Sequence, residues 1–262
     1  MKVALIQLNA GTDKANNILR ARRLVQKAVE GGAEFILLPE VFNYRGPLSG
    51  EELYHQIAEE IPGKSIIPFM EIAKKNSVHI LAGSIYERKF DGKKIYNTSV
   101  MIDDFGNIIG KYRKINLFKA VIDGQKIDES ETYEHGKEPV LCGIKNKKVG
   151  LSICFDLRFP ELYRNYFKEK VDVIVIPSSF SQKTGELHWK PLLRARAIEN
   201  YCYVLAPNQF GIDGNGVETY GNSIVIDPQG KVMAILEKKR EDILIVDLIL
   251  QERAFYPLIR NN

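Results

Sequence analysis

Three residues of this sequence carry the chemistry of acyl transfer: the thiol of Cys154, the carboxylate of Glu40 and the ammonium of Lys114. Together they supply a nucleophile, a general base and a positive electrode for an oxyanion, which is all that acyl transfer without a metal requires. Each also has an ordinary reading by itself. Cys154 follows Leu151-Ser152-Ile153 and is a small residue that packs well at a strand end. Glu40 follows Leu37-Leu38-Pro39 and reads equally as a surface acid opening a loop. Lys114, between Tyr112 and Ile115, reads alone as a lysine whose stem snorkels over apolar neighbours. Their common placement joins them, because each closes a short apolar run, at the strand ends where open α/β sheets hold ligands. The run from Cys154 through Phe155 to Pro160 reads as a sharp strand-to-helix connection, which lifts a nucleophile to the sheet edge and aims the next backbone N–H groups at one point. Cys142 and Cys202 lie in apolar strands without such neighbours and read as packing residues.

The elements that must hold these residues follow from hydrophobic periodicity. Residues 3–8 form an apolar strand, Asp13 caps a helix with Ile18, Ala21, Val25 and Ala28 on one face, and Gly31-Gly32 ends it. A second strand at 35–38 makes the opening β-α-β. Helices are expected at 51–60 and 64–75, a strand at 78–83, and a hairpin of 96–102 with 108–112. Residues 119–140 lack periodicity and read as a long loop bordering the site. Strands then fall at 148–153, 171–176 and 201–206, with helices at 160–167 and up to Asn200. Three closing strands near 221–227, 231–236 and 243–247 read as antiparallel to one another, since tight turns separate them. Strands outnumber crossovers, which implies an α/β fold of two sheets face to face with helices outside.

Composition bounds the rest. With 262 residues, 45% of them hydrophobic, the chain can bury a full core, and residues 1–262 read as a single domain. A net charge of +4, spread among interspersed acids, gives no reason to expect nucleic acid as a partner. The densest basic run, Lys238-Lys239-Arg240 between Glu237 and Glu241, reads as a solvated turn. No apolar run approaches membrane-spanning length, and the residues after Lys2 are too few for a secretory leader, so a cytoplasmic protein is expected. Three cysteines without a C-x-x-C pair argue against a disulfide framework, and the four scattered histidines suggest no metal site; neither metal nor cofactor is expected.

Three motifs, in order, now carry a resemblance: Leu37-Leu38-Pro39-Glu40, Tyr112-Arg113-Lys114-Ile115-Asn116-Leu117, and Ser152-Ile153-Cys154-Phe155-Asp156-Leu157-Arg158-Phe159-Pro160-Glu161. With His188-Trp189, Arg194 to Asn200, and Gly221-Asn222-Ser223 before Asp227-Pro228, the sequence resembles the nitrilase superfamily of carbon-nitrogen hydrolases over nearly its whole length. Within that superfamily it is most like the omega-amidase and deaminated-glutathione-amidase branch. The resemblance implies an α-β-β-α sandwich that becomes four-layered on dimerisation, and a Glu-Lys-Cys triad mapping onto Glu40, Lys114 and Cys154. It also implies Glu129 as a second glutamate supporting the lysine, against an ordinary reading as one of several loop acids. The expected partners are a small-molecule amide and a second copy of the chain. Asn116 and Asn222 depart from the pattern, standing where histidine is frequent.

N-carbamoyl amine and nitrile hydrolysis use the same thiol chemistry and stay open, as does a non-catalytic scaffold of the same fold. Phe155, Arg158 and His188 are the expected substrate contacts. Arg158 has two readings: it pairs with Asp156 or Glu161 to hold the turn, or it clamps a carboxylate of the substrate.

Overall fold

The computed structural model describes residues 1–47, 51–90, 94–122, 125–237 and 239–250. The first helix, Lys14–Glu30, starts at Asp13, whose carboxylate accepts the Asn16 N–H at 3.0 Å. It ends at Gly31, and Gly32 then takes a φ of 78° that a side chain would resist. Its buried residues Ala21, Val25 and Ala28 pack on Ala4, Ile6, Ile36 and Leu38, which point to one face of the first sheet. Val3, Leu5, Phe35 and Leu37 alternate with them and meet Val149, Leu151, Val173 and Val175 of the second sheet. The strands are apolar throughout because both faces are covered. Tyr163, Tyr166, Trp189, Leu193 and Ala197, from helices Pro160–Lys168 and Lys190–Asn200 and the wide turn between 185 and 189, join that same core beside the second sheet. The layers are therefore α-β-β-α, as expected.

Each sheet is built on three adjacent parallel strands. In the first, Lys2–Gln7 pairs with Phe35–Leu37 and that with His79–Leu81. In the second, Lys147–Leu151 pairs with Val173–Val175 and that with Tyr203–Ala206. Parallel strands bring their carboxyl ends to one edge, so the residues following them gather there. The expected hairpin forms from Ile95–Ile102 and Ile108–Arg113.

Several elements differ from the sequence reading. Residues 119–140 are not a structureless loop: Lys119–Ile122 and Gln125–Asp128 form a small antiparallel ribbon, Glu129–Glu131 a 3₁₀ turn, and Val140–Ile144 an edge strand of the second sheet. Strands this short give too few residues for a period to show. Ile85–Arg88 is a further strand, beside Ile95–Ile102. The closing strands do not all pair with one another. Val232–Leu236 pairs with Ser223–Ile226, but Asp242–Asp247 crosses to the first sheet and lies antiparallel to Lys2–Gln7, Val3 opposite Val246 and Leu5 opposite Leu244. The basic turn before it is exposed at Lys239 and Arg240. No described helix is long and apolar enough to cross a membrane.

Candidate active site

Glu40 stands just beyond Phe35–Leu37, and its backbone is held from both sheets. The Val41 N–H donates to Ser84 Oγ at 2.9 Å, while Gln209 Nε2 donates to the Glu40 carbonyl at 2.8 Å. The chain turns through Val41 at a φ of 43°, and Gly83 packs so closely that a Cβ there would lie 2.0 Å from the Pro39 carbonyl oxygen. The buried Glu40 side chain accepts at Oε1 from Asn97 Nδ2 at 2.8 Å and from Lys114 Nζ at 3.0 Å.

Lys114 follows Ile108–Arg113 and is 1% exposed. Its N–H donates to the Asn97 carbonyl, and its own carbonyl accepts from Gly136, both at 2.8 Å. Its ammonium bridges Glu40 and Glu129, the latter at 3.1 Å to Oε1 and 3.0 Å to Oε2. Glu129 Oε2 also accepts the Phe118 N–H at 2.7 Å, so the 3₁₀ turn that presents it is tied down. The lysine is thus shared by two carboxylates. Burial alone would discourage its charge, but Glu129 and Glu40 together hold it well above the ordinary lysine range. Burial also raises Glu40, yet Lys114 and Arg45 outweigh it and keep that carboxyl below its ordinary value. Glu129 goes the other way: burial, with Glu40 nearby, exceeds the pull of Lys114. Lys114 thus lies between the fully buried Glu40, which it and Arg45 keep ionised, and the partly buried Glu129.

Cys154 opens the 3₁₀ turn Cys154–Arg158 with a φ of 45°, a strained conformation for a side-chain-bearing residue. Its N–H donates to the Pro177 carbonyl at 3.0 Å. Glu40 and the Ser179 backbone lie close to the sulfur and act on it in opposite senses, the Glu40 charge discouraging a thiolate and the Ser179 N–H favouring one. Burial pushes this thiol well up, and the Glu40 charge adds to that against Lys114. Cys154 therefore rests as a thiol close to a carboxylate, and chemistry at its sulfur calls for a base at the moment of attack. Cys142 is a different case: burial alone pushes it up to about 12, and its thiol only reaches the Ile109 carbonyl at 3.8 Å.

The turn itself is braced by Asp156, which the sequence offered only as a partner for Arg158, and by Arg196, which it did not single out. Asp156 accepts from Ile153 N–H, Tyr112 O–H and both nitrogens of Asn116. Arg196 donates from Nε and Nη2 to the Leu157 carbonyl at 3.0 and 2.9 Å. Asn97 and Ser179 were also missed; they come from separate strands or loops, and only folding brings them to Glu40 and Cys154. The signal that existed was the unusual density of polar residues, Asn97-Thr98-Ser99 and Ser178-Ser179, in otherwise apolar strand ends.

A cleft of about 400 Å³ opens over this cluster, lined by Glu40, Lys114, Glu129 and Cys154 together with Phe155, Arg158, Phe180 and Tyr86. Arg158 does not pair with Asp156 or Glu161; its Nη1 donates to His188 Nδ1 at 3.1 Å, and its guanidinium carbon lies 5.7 Å from the Phe155 ring centre and 5.4 Å from that of Phe180. His188 does not line the cleft and meets it only through Arg158. Asn116 bonds Asp156, and Asn222 accepts the Trp189 indole N–H on its carbonyl at 2.9 Å, so both departures from the family pattern have structural partners. The arrangement brings a thiol, two carboxylates, an ammonium and a half-buried guanidinium around one cavity, groups that suffice for acyl transfer.

Residues 2–257 match the carbon-nitrogen hydrolase family. The chain is 38% identical to the deaminated glutathione amidase of Dictyostelium discoideum over 260 residues, covering 95% of this chain and 88% of that one. It is 37% identical to omega-amidase NIT2 of Mus musculus over 254 residues, covering 97% and 90%. In structure it is similar to Nit3 of Saccharomyces cerevisiae, a member of branch 10 of the nitrilase superfamily, with a TM-score of 0.82 and 33% identity across 94% of this chain and 89% of that one. With the family matched over residues 2–257 and the fold shared with a member of the superfamily, the chain belongs to the carbon-nitrogen hydrolases of the nitrilase superfamily.

Proposed function

We propose that this protein is an amidase that cleaves the carbon-nitrogen bond of a small linear amide through a thioester on Cys154, with residues 1–262 acting as one catalytic unit. The observation that carries the reading is that Cys154 shares one cleft with the Glu40 carboxylate, which Lys114 holds at 3.0 Å and keeps ionised. Glu40 takes the thiol proton as sulfur attacks the amide carbon. The oxyanion that forms is held by the Lys114 ammonium and the Phe155 backbone N–H. Glu40 returns the proton to the leaving nitrogen, ammonia departs and the acyl group remains on sulfur. Water then enters, Glu40 takes one of its protons, the hydroxide adds to the thioester carbon, and collapse releases the carboxylic acid while sulfur regains its proton. Amide and water become acid and ammonia. Glu129 keeps Lys114 in place by sharing its charge.

Arg158 suggests the substrate class. Among the described residues no carboxylate pairs with it, although it is half buried at the cleft and burial disfavours its charge. A substrate carboxylate supplies the missing partner through a bidentate fork, with His188 holding the guanidinium from behind. The preferred substrate is then an omega-monoamide of a short dicarboxylic acid, in line with the omega-amidase among the relatives. A panel of amides, nitriles and carbamoyl compounds assayed for ammonia release tests this. Omega-monoamides are expected to exceed their neutral esters by about 10- to 100-fold in kcat/KM, the ~1.5–3 kcal/mol of a charge-assisted hydrogen bond, and Arg158→Lys to lose most of that margin. A nitrile or carbamoyl compound turned over faster than every amide moves the assignment to those chemistries, and wild-type discrimination in Arg158→Lys makes the arginine structural.

The protein acts as a homodimer in the cytoplasm on this reading. Three free cysteines fit a reducing compartment. Leu187 and Ile198 stand out from the outer helical layer, 70% and 46% exposed, and offer a second copy an apolar face. Sedimentation at micromolar concentration is expected to show dimers or larger species; a monomer that retains full activity removes the dimer.

A further inference from the structure

Asp156 is a buried carboxylate that the hydrolysis does not consume. It is 0% exposed, and its partners among the described residues are all neutral donors. Oδ2 accepts the Tyr112 O–H at 2.7 Å and the Ile153 N–H at 2.9 Å; Oδ1 accepts the Asn116 N–H at 2.8 Å and its Nδ2 at 2.9 Å. Four bonds fill the accepting capacity of a carboxylate. A carboxylate buried without a cation costs stability, so cohesion of the fold alone does not account for it. The placement of its partners does. Ile153 immediately precedes Cys154, while Tyr112 and Asn116 flank Lys114 on either side along the chain.

We propose that Asp156 is a positioning residue that sets the separation between the Cys154 sulfur and the Lys114 ammonium, by joining the nucleophile's turn to the strand end that carries the lysine. The turn and the strand end belong to different sheets and share no ladder, so this side chain is a direct tie between them. Only a carboxylate suits the position, since all four neighbours donate and an amide of the same shape turns an N–H toward two of them. Cys154 holds its strained φ because the Ile153 N–H is captured just before it. The inference rests on the roles proposed for Cys154 and Lys114.

The test compares Asp156→Asn and Tyr112→Phe with wild type in three readouts: kcat and KM on the best amide, the pH dependence of Cys154 alkylation by iodoacetamide, and thermal melting. If the carboxylate positions the pair, Asp156→Asn lowers kcat about 10²-fold, the cost of a misplacement on the order of 1 Å, with KM changed less than ~3-fold. Its alkylation midpoint moves to higher pH, because the lysine that favours the thiolate has receded. Tyr112→Phe, which removes one donor without changing shape, shifts kcat and midpoint the same way by a smaller amount. A folded Asp156→Asn that melts lower but keeps the wild-type kcat and alkylation profile overturns the proposal. Where Asp156→Asn does not fold, Tyr112→Phe decides, and wild-type kcat and profile in that variant overturn it equally. If wild type releases ammonia from no amide, the proposed function fails, while the alkylation profiles still judge the positioning.

Discussion

Alanine in place of Cys154 is expected to lower amide turnover by about 10⁴- to 10⁶-fold with folding retained, since removing one member of a catalytic unit costs nearly as much as removing all of it. Alanine keeps the Cβ and therefore the same strain at a φ of 45°, so the loss belongs to the sulfur. Glu40→Gln preserves the shape that accepts Lys114 and Asn97 but cannot take a proton, and its effect is expected to approach that of Cys154→Ala. The double variant is expected to be no slower than Cys154→Ala alone, because the base has nothing left to activate. Steady-state ammonia release measures all three. Incubation with a slow amide should add the acyl mass to the peptide containing Cys154; label found only at Cys142 or Cys202 rejects the nucleophile, and near-normal turnover in Glu40→Gln rejects the base.

The largest effect on stability is expected from Lys114→Met. Methionine fills the space but leaves the buried Glu40 and the partly buried Glu129 without their shared cation, a change that costs about 3–5 kcal/mol when one partner of a buried pair is removed. The pH dependence follows from the directions of the shifts. In wild type the depressed Glu40 contributes stability that is fully present above its ordinary value of 4.5 and is lost as pH falls through its folded value. The raised Lys114 contributes stability that is fully present below its ordinary 10.5 and is lost as pH rises through its folded value. Without the lysine, burial pushes both carboxyls up, opposed at Glu40 by Arg45, so the variant is expected to be weakest near neutrality and to recover as pH falls toward 5. Urea midpoints of both proteins at pH 7.5 and pH 5 measure this; an equal gap at the two pH values shows that the carboxylates do not depend on Lys114.

Much of this was visible in the sequence because short buried strands announce their ends. Leu37-Leu38-Pro39 and Leu151-Ser152-Ile153 lead straight into Glu40 and Cys154, and Lys114 breaks an apolar run in the same way. Glu129 came only by likeness to the family, since nothing local separates it from Glu131 or Glu134. What could not be read is what folding alone creates. Asp156 looked like a partner for Arg158, yet its carboxylate is filled by Tyr112, Asn116 and Ile153, and Arg158 finds His188 and two aromatic rings instead. The ribbon at 119–128 escaped because each strand has four residues, too few for alternation to show. The pairing of Asp242–Asp247 with Lys2–Gln7 escaped for a different reason, since its register is set by a neighbour at the far end of the sequence.

That pairing has a consequence for biogenesis. The Met1 amino group and the Leu248 carbonyl, 247 positions apart, hydrogen-bond at 3.0 Å, and bringing such distant segments together costs on the order of 5 kcal/mol in loop entropy. The first sheet cannot be completed until residue 247 has left the ribosome. Throughout synthesis Lys2–Gln7, with Val3, Ala4, Leu5 and Ile6 in its middle, has one unpaired edge open to the same strand on neighbouring nascent chains. Slow translation on the way to residue 247 therefore lengthens the window for polysome aggregation. The edge closes only when Asp242–Asp247 emerges, so covering Lys2–Gln7 until then is what a nascent chain of this topology needs.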